Sequence, residues 1–433
     1  MSFDRTLRAL RAQRVAREWV VASRTRRVAT VEHGARELRR EDEHARVTGV
    51  VHRDLTTGRG SGRFVVEGDE RNDALDRALV QAAIAVGPAW SMAPPAAAAH
   101  VALDDAALGP DLEVAAEAIT TLVFDAIRAP HLIALAGGAL ELVDVTAIVT
   151  HDDLRLASSH GQDARWTAST IELRARLRRG DRTTELHTRT RQRGGLALTA
   201  LVAEAAERLG ARDAGPPPAG RYPIVLRLAA LAPVEGLGLW AALVAQADAG
   251  TVRRGLSRYR PGQPIVAGAD ALGEPLTIAS DGTLPFGLAS APLGDDGEPV
   301  RRFTLVERGK AAELAYDLRE AALAGAHPNG GVRNLVVEPG ASPAGALVAS
   351  DDGPVLDVAS LAWLDLDPAT ARFSAGVEFG LLRDGDRQTP VTGAVIRGDA
   401  IAALATARRA AEVSTRGAYR GPVALRLAPL SVT

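Results

Sequence analysis

Alternating apolar and polar positions predict strands in the first part of the chain. The runs EWVVASRTRRVATVEHG, HARVTGVVHRD and GRFVVEG alternate valines with charged residues, a pattern typical of half-buried antiparallel strands. A helical pattern over about residues 3–17 precedes them, and Asn72 or Asp73 is placed to cap a helix that ends near Val86. The pattern therefore predicts a helix, a meander of strands and a second helix.

The same order of elements returns further along the chain. After the linker SMAPPAAAAH, the sequence predicts a helix at DLEVAAEAITTLVFDAI, strands from LIALAGG through ELHTRTRQ, and a helix at LALTALVAEAAERLG. Each meander has one apolar face that helices must cover. We therefore predict an amino-terminal domain over residues 1–213, built as a duplicated helix/antiparallel-meander/helix unit with repeats at about 1–90 and 110–212.

A Pro- and Gly-rich stretch, ARDAGPPPAGR at about 211–221, predicts an exposed linker between two domains. Beyond it the apolar runs are mostly strand-like, from YPIVLRLAAL to the last segment, PVALRLAPLSV. Pairs that favour hairpin turns separate these runs, namely Asp296-Gly297, Asp384-Gly385 and Gly398-Asp399. The pattern predicts a mostly antiparallel β domain over residues 220–433, as a sheet, sandwich or open barrel, and an α+β fold for the whole chain.

Composition narrows the classes of protein that this chain can represent. The 433 residues include 51 basic and 53 acidic side chains, and only 4% are aromatic. This balance gives no reason to expect nucleic acid or an anionic membrane as a partner. No apolar run reaches the roughly 18 residues that cross a bilayer. The absence of cysteine excludes disulfides, thiolate metal sites and a cysteine nucleophile, and we expect a cytoplasmic protein.

Two segments contain residue types that occur in active sites. THDDLRLASSH contains His151, Asp153 and His160, for which the pattern favours a polar turn, while metal binding and relocated catalysis stay open. GLGLWA at residues 236–241 matches a dinucleotide-binding fingerprint in form. No following strand ends in the acidic residue that such a site requires, so this segment predicts the start of a helix and no cofactor site.

Glycine-rich turn motifs in the second half resemble those of a known family. The motifs are Ser280-Asp281-Gly282-Thr283, Asp295 to Pro299, Leu305 to Gly309, Asp317 to Ala321 and Asn329 to Arg333. In this order they resemble the core of the TldD/PmbA family, the so-called modulators of DNA gyrase. The run FSAGVEFGLLRDGDRQTPVTGAVIRGDAIAALATA resembles the family's later strands and final helix, so the resemblance spans nearly the whole chain.

The resemblance implies which residues occupy the family's metal site. TldD-type members bind zinc through HExxxH on a helix and a distant cysteine, whereas PmbA/TldE-type members lack these residues. The segment from Arg253 to Ser257 resembles the family's RRGTS, which follows the zinc helix. Trp240, Ala241 and Ala245 therefore stand where TldD-type members have their two histidines and glutamate. The resemblance implies a degenerate site with no catalytic residue and no metal, on a structural helix.

Three functions remain open from the sequence. The resemblance favours a non-catalytic, PmbA/TldE-like subunit that pairs with a TldD-type zinc metallopeptidase and helps it to cleave unfolded or ribosomally made peptides, with zinc only in the partner. The alternative is a stand-alone peptide-binding or assembly module, such as a homodimer, because most family asparagines are replaced and the chain has only Asn72, Asn329 and Asn334. The third is an enzyme that uses His151, Asp153 and His160.

Overall fold

The computed structural model describes residues 3–67, 73–92, 97–211, 214–266, 274–349 and 353–433. Its fold is α+β, with an antiparallel sheet in the amino-terminal part and a β-rich carboxy-terminal part. The predicted fold class is therefore confirmed. The predicted domain boundary at residue 213 and the proposed cap Asn72 lie outside the described residues. So does Asp351-Asp352, an acidic pair for which the neighbouring glycine predicts a solvated turn.

The amino-terminal part contains one long-stranded sheet and the helices that flank it. Its helices are α1 (Phe3–Ala12), α2 (Asp73–Ile84), α3 (Leu112–Ile127), α4 (Pro130–Ala136) and α5 (Leu198–Gly210), with 3-10 turns at Ala106–Leu108 and Arg193–Leu196. Its strands are β1 (Glu18–His33), β2 (Leu38–Leu55), β3 (Gly58–Glu67), β4 (Val86–Gly87), β5 (Glu141–Ser158), β6 (Asp163–Arg179) and β7 (Arg182–Thr190).

Both meanders belong to a single sheet, which we call sheet A. Its order is β4-β3-β2-β1-β5-β6-β7 and every pair is antiparallel. The two meanders join through β1 and β5, which pair from Val20 opposite Ser158 to His33 opposite Val145. Helix, meander and helix therefore occur twice, as the pattern predicts, and the two units share one continuous sheet.

The two faces of sheet A have different neighbours. Val21, Ala29 and Val31 of β1 face cores that α1 to α5 complete. The alternate residue Val20 faces the carboxy-terminal part, where it packs with Leu293. Because side chains alternate along a strand, this second face also carries the other even-numbered positions of β1. Sheet A is thus covered by helices on one face and by the carboxy-terminal part on the other.

One predicted strand of the amino-terminal part is wrong. The segment LIALAGG lies in α4 and the turn that follows it. Pro130 occupies the first turn of this helix, where its missing N–H group is not needed. Leu132 and Ala136, four residues apart, are both buried, so the spacing is helical, although the short run reads equally well as a strand.

The first helix is shorter than predicted. It ends at Ala12 and not at residue 17, because the side-chain amide of Gln13 donates to the carbonyl oxygens of Leu10 and Ala16 at 3.1 and 2.6 Å. The Gln13 side chain thereby competes with the next helical turn for backbone groups. The chain then turns directly into β1.

The carboxy-terminal part contains two sheets and several short helices. Its helices are α6 (Leu228–Leu231), α7 (Trp240–Ala247), α8 (Ala249–Arg253), α9 (Leu318–Ala324), α10 (Ala344–Leu347) and α11 (Ala400–Ala405). Its strands are β8 (Gly220–Arg227), β9 (Ile278–Asp281), β10 (Arg302–Glu307), β11 (Lys310–Ala311), β12 (Asn334–Val337), β13 (Val355–Leu366), β14 (Arg372–Asp384), β15 (Arg387–Val391), β16 (Val395–Asp399), β17 (Arg408–Arg409), β18 (Val413–Arg416), β19 (Tyr419–Pro422) and β20 (Ala424–Val432).

One of these sheets closes on itself into a barrel. Strands β13, β8, β20, β16 and β14 pair in that order, and β13 also pairs with β14, which closes the circuit. The other sheet has the order β11-β10-β9-β12-β19-β18. The parallel pairs are β13 with β8 and β12 with β19. The sequence predicted an open barrel as one option, and the structure shows a closed one.

One predicted hairpin turn in this part is confirmed, and another is wrong. Asp384-Gly385 forms the β14–β15 hairpin, with Gly385 at φ +57°. Gly398 and Asp399 instead end β16, and the Asp399 carboxylate accepts the backbone N–H of Ala402 at 2.9 Å. Asp399 is therefore the N-cap of α11, a role that aspartate fills as readily as a turn position.

The described residues contain no single helix that is both long enough and apolar enough to cross a membrane. Helices α3 and α4 reach such a length and apolar composition only when they are taken together, and the chain bends by 65° at the break between them.

Candidate functional site

A cleft of about 1190 Å³ lies between the second face of sheet A and the loops of the carboxy-terminal part. Sheet A forms its floor, with side chains from β1, β2, β3, β5 and β6 and from the end of β7. The loop at residues 288–298 and the segment around Arg333 form its wall. Apolar contacts of Val20 and Leu156 with Leu293 hold the floor and the wall together at one side.

Arginines dominate the floor of the cleft. The floor arginines are Arg24, Arg26, Arg46, Arg63, Arg155, Arg189 and Arg191. Arg24 and Arg26 lie two residues apart on β1 and both donate to Asp152 on β5, with Nε to Oδ1 distances of 2.7 and 2.8 Å. Asp152 is only 3% exposed as a side chain, whereas Arg24 is 44% exposed. Two cations therefore share one buried carboxylate, and part of the Arg24 guanidinium stays open to the cleft.

Arg191 joins the floor to the wall. Its guanidinium donates to the carbonyl oxygens of Gly287 and Leu288 at 2.9 and 3.0 Å and to that of Ser169 at 3.3 Å. These acceptors are neutral, and the carboxylate that acts on the charge of Arg191 is the buried Asp152, which Arg24 and Arg26 also share.

The wall carries the opposite charge, on Asp295, Asp296, Glu298 and Asp317. Glu298 is 5% exposed, and its carboxylate accepts the backbone N–H of Asp296 at 3.0 Å. Gly294 lies against this carboxylate, with no space there for a Cβ atom. Burial raises the pKa of Glu298 to about 7 and also raises the pKa of Asp296. Paired aspartates in glycine-rich sequence, as at 295–296, predict solvated turn residues, and the structure shows Asp295 exposed but Asp296 partly buried.

We expect Glu298→Gln to stabilise the protein at alkaline pH. The pKa of Glu298 in the folded protein, about 7, lies above its ordinary value of 4.5. The stability that the neutral carboxyl contributes is therefore fully present below pH 4.5 and is lost as pH rises through 7. Above that pH, charging the buried carboxyl lowers the free energy of unfolding by about 3 kcal/mol, and the glutamine variant does not have this loss. Urea unfolding at acid and at alkaline pH measures the free energy of unfolding of each variant. The control is Glu313→Gln, at an exposed carboxylate that pairs with Arg301. An equal effect of Glu298→Gln at both pH values would contradict the assignment.

A buried polar network lies beside the cleft at the start of β1. Glu18 pairs with Arg59 and with His160, whose Nε2 is 3.1 Å from Glu18 Oε1. His52 lies directly opposite Glu18 on β2, and its Nδ1 is 2.8 Å from Oγ of Ser61 on β3. Burial and the charge of Arg59 lower the pKa of His52 to about 4, so its imidazole is neutral near pH 7. We assign this network to the stability of the sheet.

The structure does not bring together the histidine cluster that the sequence singled out. His151 and Asp153 lie on β5, so the expectation of a polar turn is wrong for them, whereas His160 lies in the turn that follows β5. His151 faces Asp104 at 3.4 Å, while His160 faces Glu18. Over the ranges that the structure describes, no three His, Asp or Glu side chains group as a metal site.

The segment predicted as the degenerate zinc helix forms two short helices in the structure. Helix α7 begins at Trp240, as predicted, but α8 starts anew after Asp248, whose carboxylate accepts the Thr251 N–H at 2.6 Å. Trp240 is 1% exposed and stacks on Tyr419, with ring centroids 5.9 Å apart. The segment is therefore core, and the assignment of Trp240, Ala241 and Ala245 to the family's zinc positions stays a prediction.

Comparison with known proteins identifies the family. Residues 219–433 match the model of the PmbA/TldA metallopeptidase C-terminal domain. The chain belongs to the TldD/PmbA family, as its turn motifs indicated. No curated protein sequence matches the chain.

Solved structures share the fold over almost the whole length. A modulator of a DNA gyrase from Thermotoga maritima superposes with a TM-score of 0.77 at 17% identity, over 99% of both chains. TldE from Thermococcus kodakarensis gives 0.76 at 14% identity, over 96% of both chains. A modulator of DNA gyrase from Bacteroides thetaiotaomicron gives 0.73 at 15% identity, over 97% of this chain and 95% of that one. The chain is thus similar in fold to these proteins in both of its parts.

The sequence does not predict the cleft, although it contains part of the signal for it. Arg24 and Arg26 have the same parity on a predicted strand, so they had to share a face. Asp152 has no comparable local signal, since in the sequence it is one residue of the histidine-containing segment THDDLRLASSH. Its pairing with both arginines depends on the register of β1 against β5, which crosses more than a hundred residues of sequence.

Proposed function

We propose that this chain is a non-catalytic, TldE/PmbA-like subunit that pairs in the cytoplasm with a TldD-type zinc metallopeptidase. In this proposal the partner supplies the zinc and the hydrolysis, and this chain helps to hold unfolded or ribosomally made peptides. Membership of a metallopeptidase family and the likeness in fold to an archaeal TldE support it.

The observation that carries the proposal is the chemistry of α7. At the positions that the family resemblance assigns to HExxxH, this chain has Trp240, Ala241 and Ala245, which offer no donor atom to a zinc ion. Trp240 is buried in a core that also contains Leu243 and Tyr419. The chain has no cysteine to act as a third ligand. Two independent parts of the family's zinc site are therefore replaced.

Capture of the native partner together with metal analysis tests this proposal. The tagged full chain, expressed in its own host, is expected to capture a protein that mass spectrometry identifies as carrying HExxxH. Zinc and peptidase activity are expected to follow that partner through size-exclusion chromatography. The chain purified alone is expected to contain no stoichiometric zinc and to cleave no casein-derived peptide, because its own α7 offers no ligand.

Two other outcomes would replace the proposal. Stoichiometric zinc with peptidase activity in the isolated chain would show that it is an enzyme. A chain that elutes as a homodimer from its native host, without an HExxxH protein, would favour the stand-alone assembly module.

A further inference from the structure

We propose that the cleft between sheet A and the loop at residues 288–298 binds an extended peptide whose acidic side chains contact the arginine floor. This inference rests on the proposed role in peptide handling, and it names the class of peptide: one with acidic residues at alternate positions. The cleft is larger than the usual 300 to about 1000 Å³ of a small-molecule site, since its volume is about 1190 Å³.

Charge is segregated across the cleft. Among the residues that the structure describes, seven of the lining arginines belong to the floor, where the only lining carboxylate is Asp152. Within the same described ranges, four lining carboxylates belong to the wall, where the only lining arginine is Arg333. Arg46 and Arg155 have acidic partners outside the cleft, so the floor's attraction for an anion comes mainly from the other five arginines. A ligand with acidic groups on one side only matches this segregation.

Two floor arginines are placed to receive such groups. Arg24 shares Asp152 with Arg26 and is 44% exposed. Arg63 lies across the sheet on β3, and its guanidinium makes no hydrogen bond or ion pair with any residue in the described ranges. Guanidinium groups bind carboxylates through paired N–H donors. Both arginines therefore have unused donors that face the cleft.

The backbone geometry of an extended peptide fits this arrangement. Successive side chains of an extended chain point in opposite directions. A peptide in the cleft thus presents every second side chain to the floor and the others to the wall. Apolar contacts are available on the floor through Leu154 and Trp166 and on the wall through Leu288 and Leu293. Acidic side chains toward the arginines and small neutral ones toward Asp296 and Glu298 satisfy both surfaces.

The wall carboxylates disfavour a nucleic acid in the same space. A phosphate backbone carries negative charge at every nucleotide and cannot direct it to one side only. Such a ligand would place phosphates against Asp295, Asp296 or Glu298. The floor alone would suit a polyanion, and the two-sided cleft favours the alternating peptide.

Binding of short labelled peptides to the full chain tests this inference. Three capped probes of equal length, alternating Glu-Ala, Gln-Ala and Lys-Ala, are titrated by fluorescence anisotropy, with an oligothymidylate as a polyanion probe. We expect binding of Glu-Ala only, weakened by added salt because the contacts are ionic. Arg24→Gln and Arg63→Gln are each expected to raise the Kd about tenfold, the effect of losing one charge-assisted hydrogen-bonded contact.

Arg178→Gln is the matched control. Arg178 lies on β6, on the same face of sheet A but beyond the cleft, where it pairs with Glu141 and is 50% exposed. Its replacement is expected to leave the Kd unchanged. Arg26 remains to pair with Asp152 in Arg24→Gln, so the fold is expected to survive, and a thermal melt checks this.

The outcomes separate this inference from the proposed function. No binding of Glu-Ala, equal binding of the three peptides, tighter binding of oligothymidylate, or an equal loss in Arg178→Gln would each overturn the cleft assignment. Partner capture by Arg24→Gln is measured in parallel. If the peptide binds but no HExxxH partner is captured by the unaltered chain, the proposed function fails and the acidic-peptide site stands.

Discussion

Replacing Trp240 by alanine is expected to lower the free energy of unfolding by about 3 to 5 kcal/mol, the usual cost of removing a fully buried tryptophan. The side chain is 1% exposed, and its ring stacks on that of Tyr419 in the six-stranded sheet. Around it lies the largest apolar cluster, which joins α7 to the barrel and to that sheet. Chemical denaturation followed by far-ultraviolet circular dichroism measures this loss of unfolding free energy.

Two further variants show whether packing is the cause. Leu256→Ala, on a side chain that is 63% exposed, is expected to change stability by less than about 0.5 kcal/mol. Trp240→Phe keeps most of the apolar volume and removes an indole N–H that is buried without an acceptor among the described residues. We expect Trp240→Phe to lower the free energy of unfolding much less than Trp240→Ala does. If Trp240→Ala is as mild as Leu256→Ala, α7 is not the packed core that the proposed function assumes.

Asp357→Ala is expected to destabilise the protein by about 3 to 5 kcal/mol, the range found when one partner of a buried ion pair is removed. The Asp357 side chain is 0% exposed on β13, and it accepts from Arg227 Nε and Arg383 Nε at 2.9 Å each. Arg227 also donates to Glu207 of α5 at 2.6 Å. Without Asp357, two partly buried guanidinium groups lose their common counter-charge, and among the described residues only Arg227 keeps another carboxylate partner, Glu207.

This node also connects the two parts of the chain, because Glu207 belongs to α5 and Asp357 to the barrel. Hydrogen exchange in α5 is therefore expected to accelerate in Asp357→Ala. Asp365→Ala, at an exposed position on the same strand, is the matched control and is expected to change neither measurement. Equal stabilities of the two variants would show that Asp357 does not hold the barrel to α5.

The local sequence pattern was sufficient to predict strands and helices whose buried residues recur at a regular spacing. The valine alternation in β1, β2 and β3 and the 3.6-residue spacing in α3 and α5 predicted those elements, because each has one apolar face toward a core. The pattern failed at α4, because an apolar run of about four to eight residues is compatible with either a strand or a helix. It also missed the break before α8, where the Asp248 carboxylate caps a new helix.

The turns and the fold class could also be predicted from the sequence, because turn glycines and capping aspartates determine the backbone conformation of the residues next to them. Asp317, for example, caps α9 by accepting the Glu320 N–H at 2.7 Å. The closure of the barrel did not follow. It depends on the pairing of β13 with β14 while both also pair with other strands, and no local signal distinguishes a closed circuit from an open one.

By itself, the sequence determined that this chain is an α+β protein with two meanders, that it has no cysteine, and that an apolar segment stands at residues 240–245. These properties depend on residue identity and on short-range periodicity. Only the tertiary structure decided that Arg24 and Arg26 share Asp152, and that Glu298 is buried opposite an arginine-lined floor. Charge pairing and pKa depend on distance in space, and residues far apart in sequence come to that distance only through strand register and the docking of the two parts.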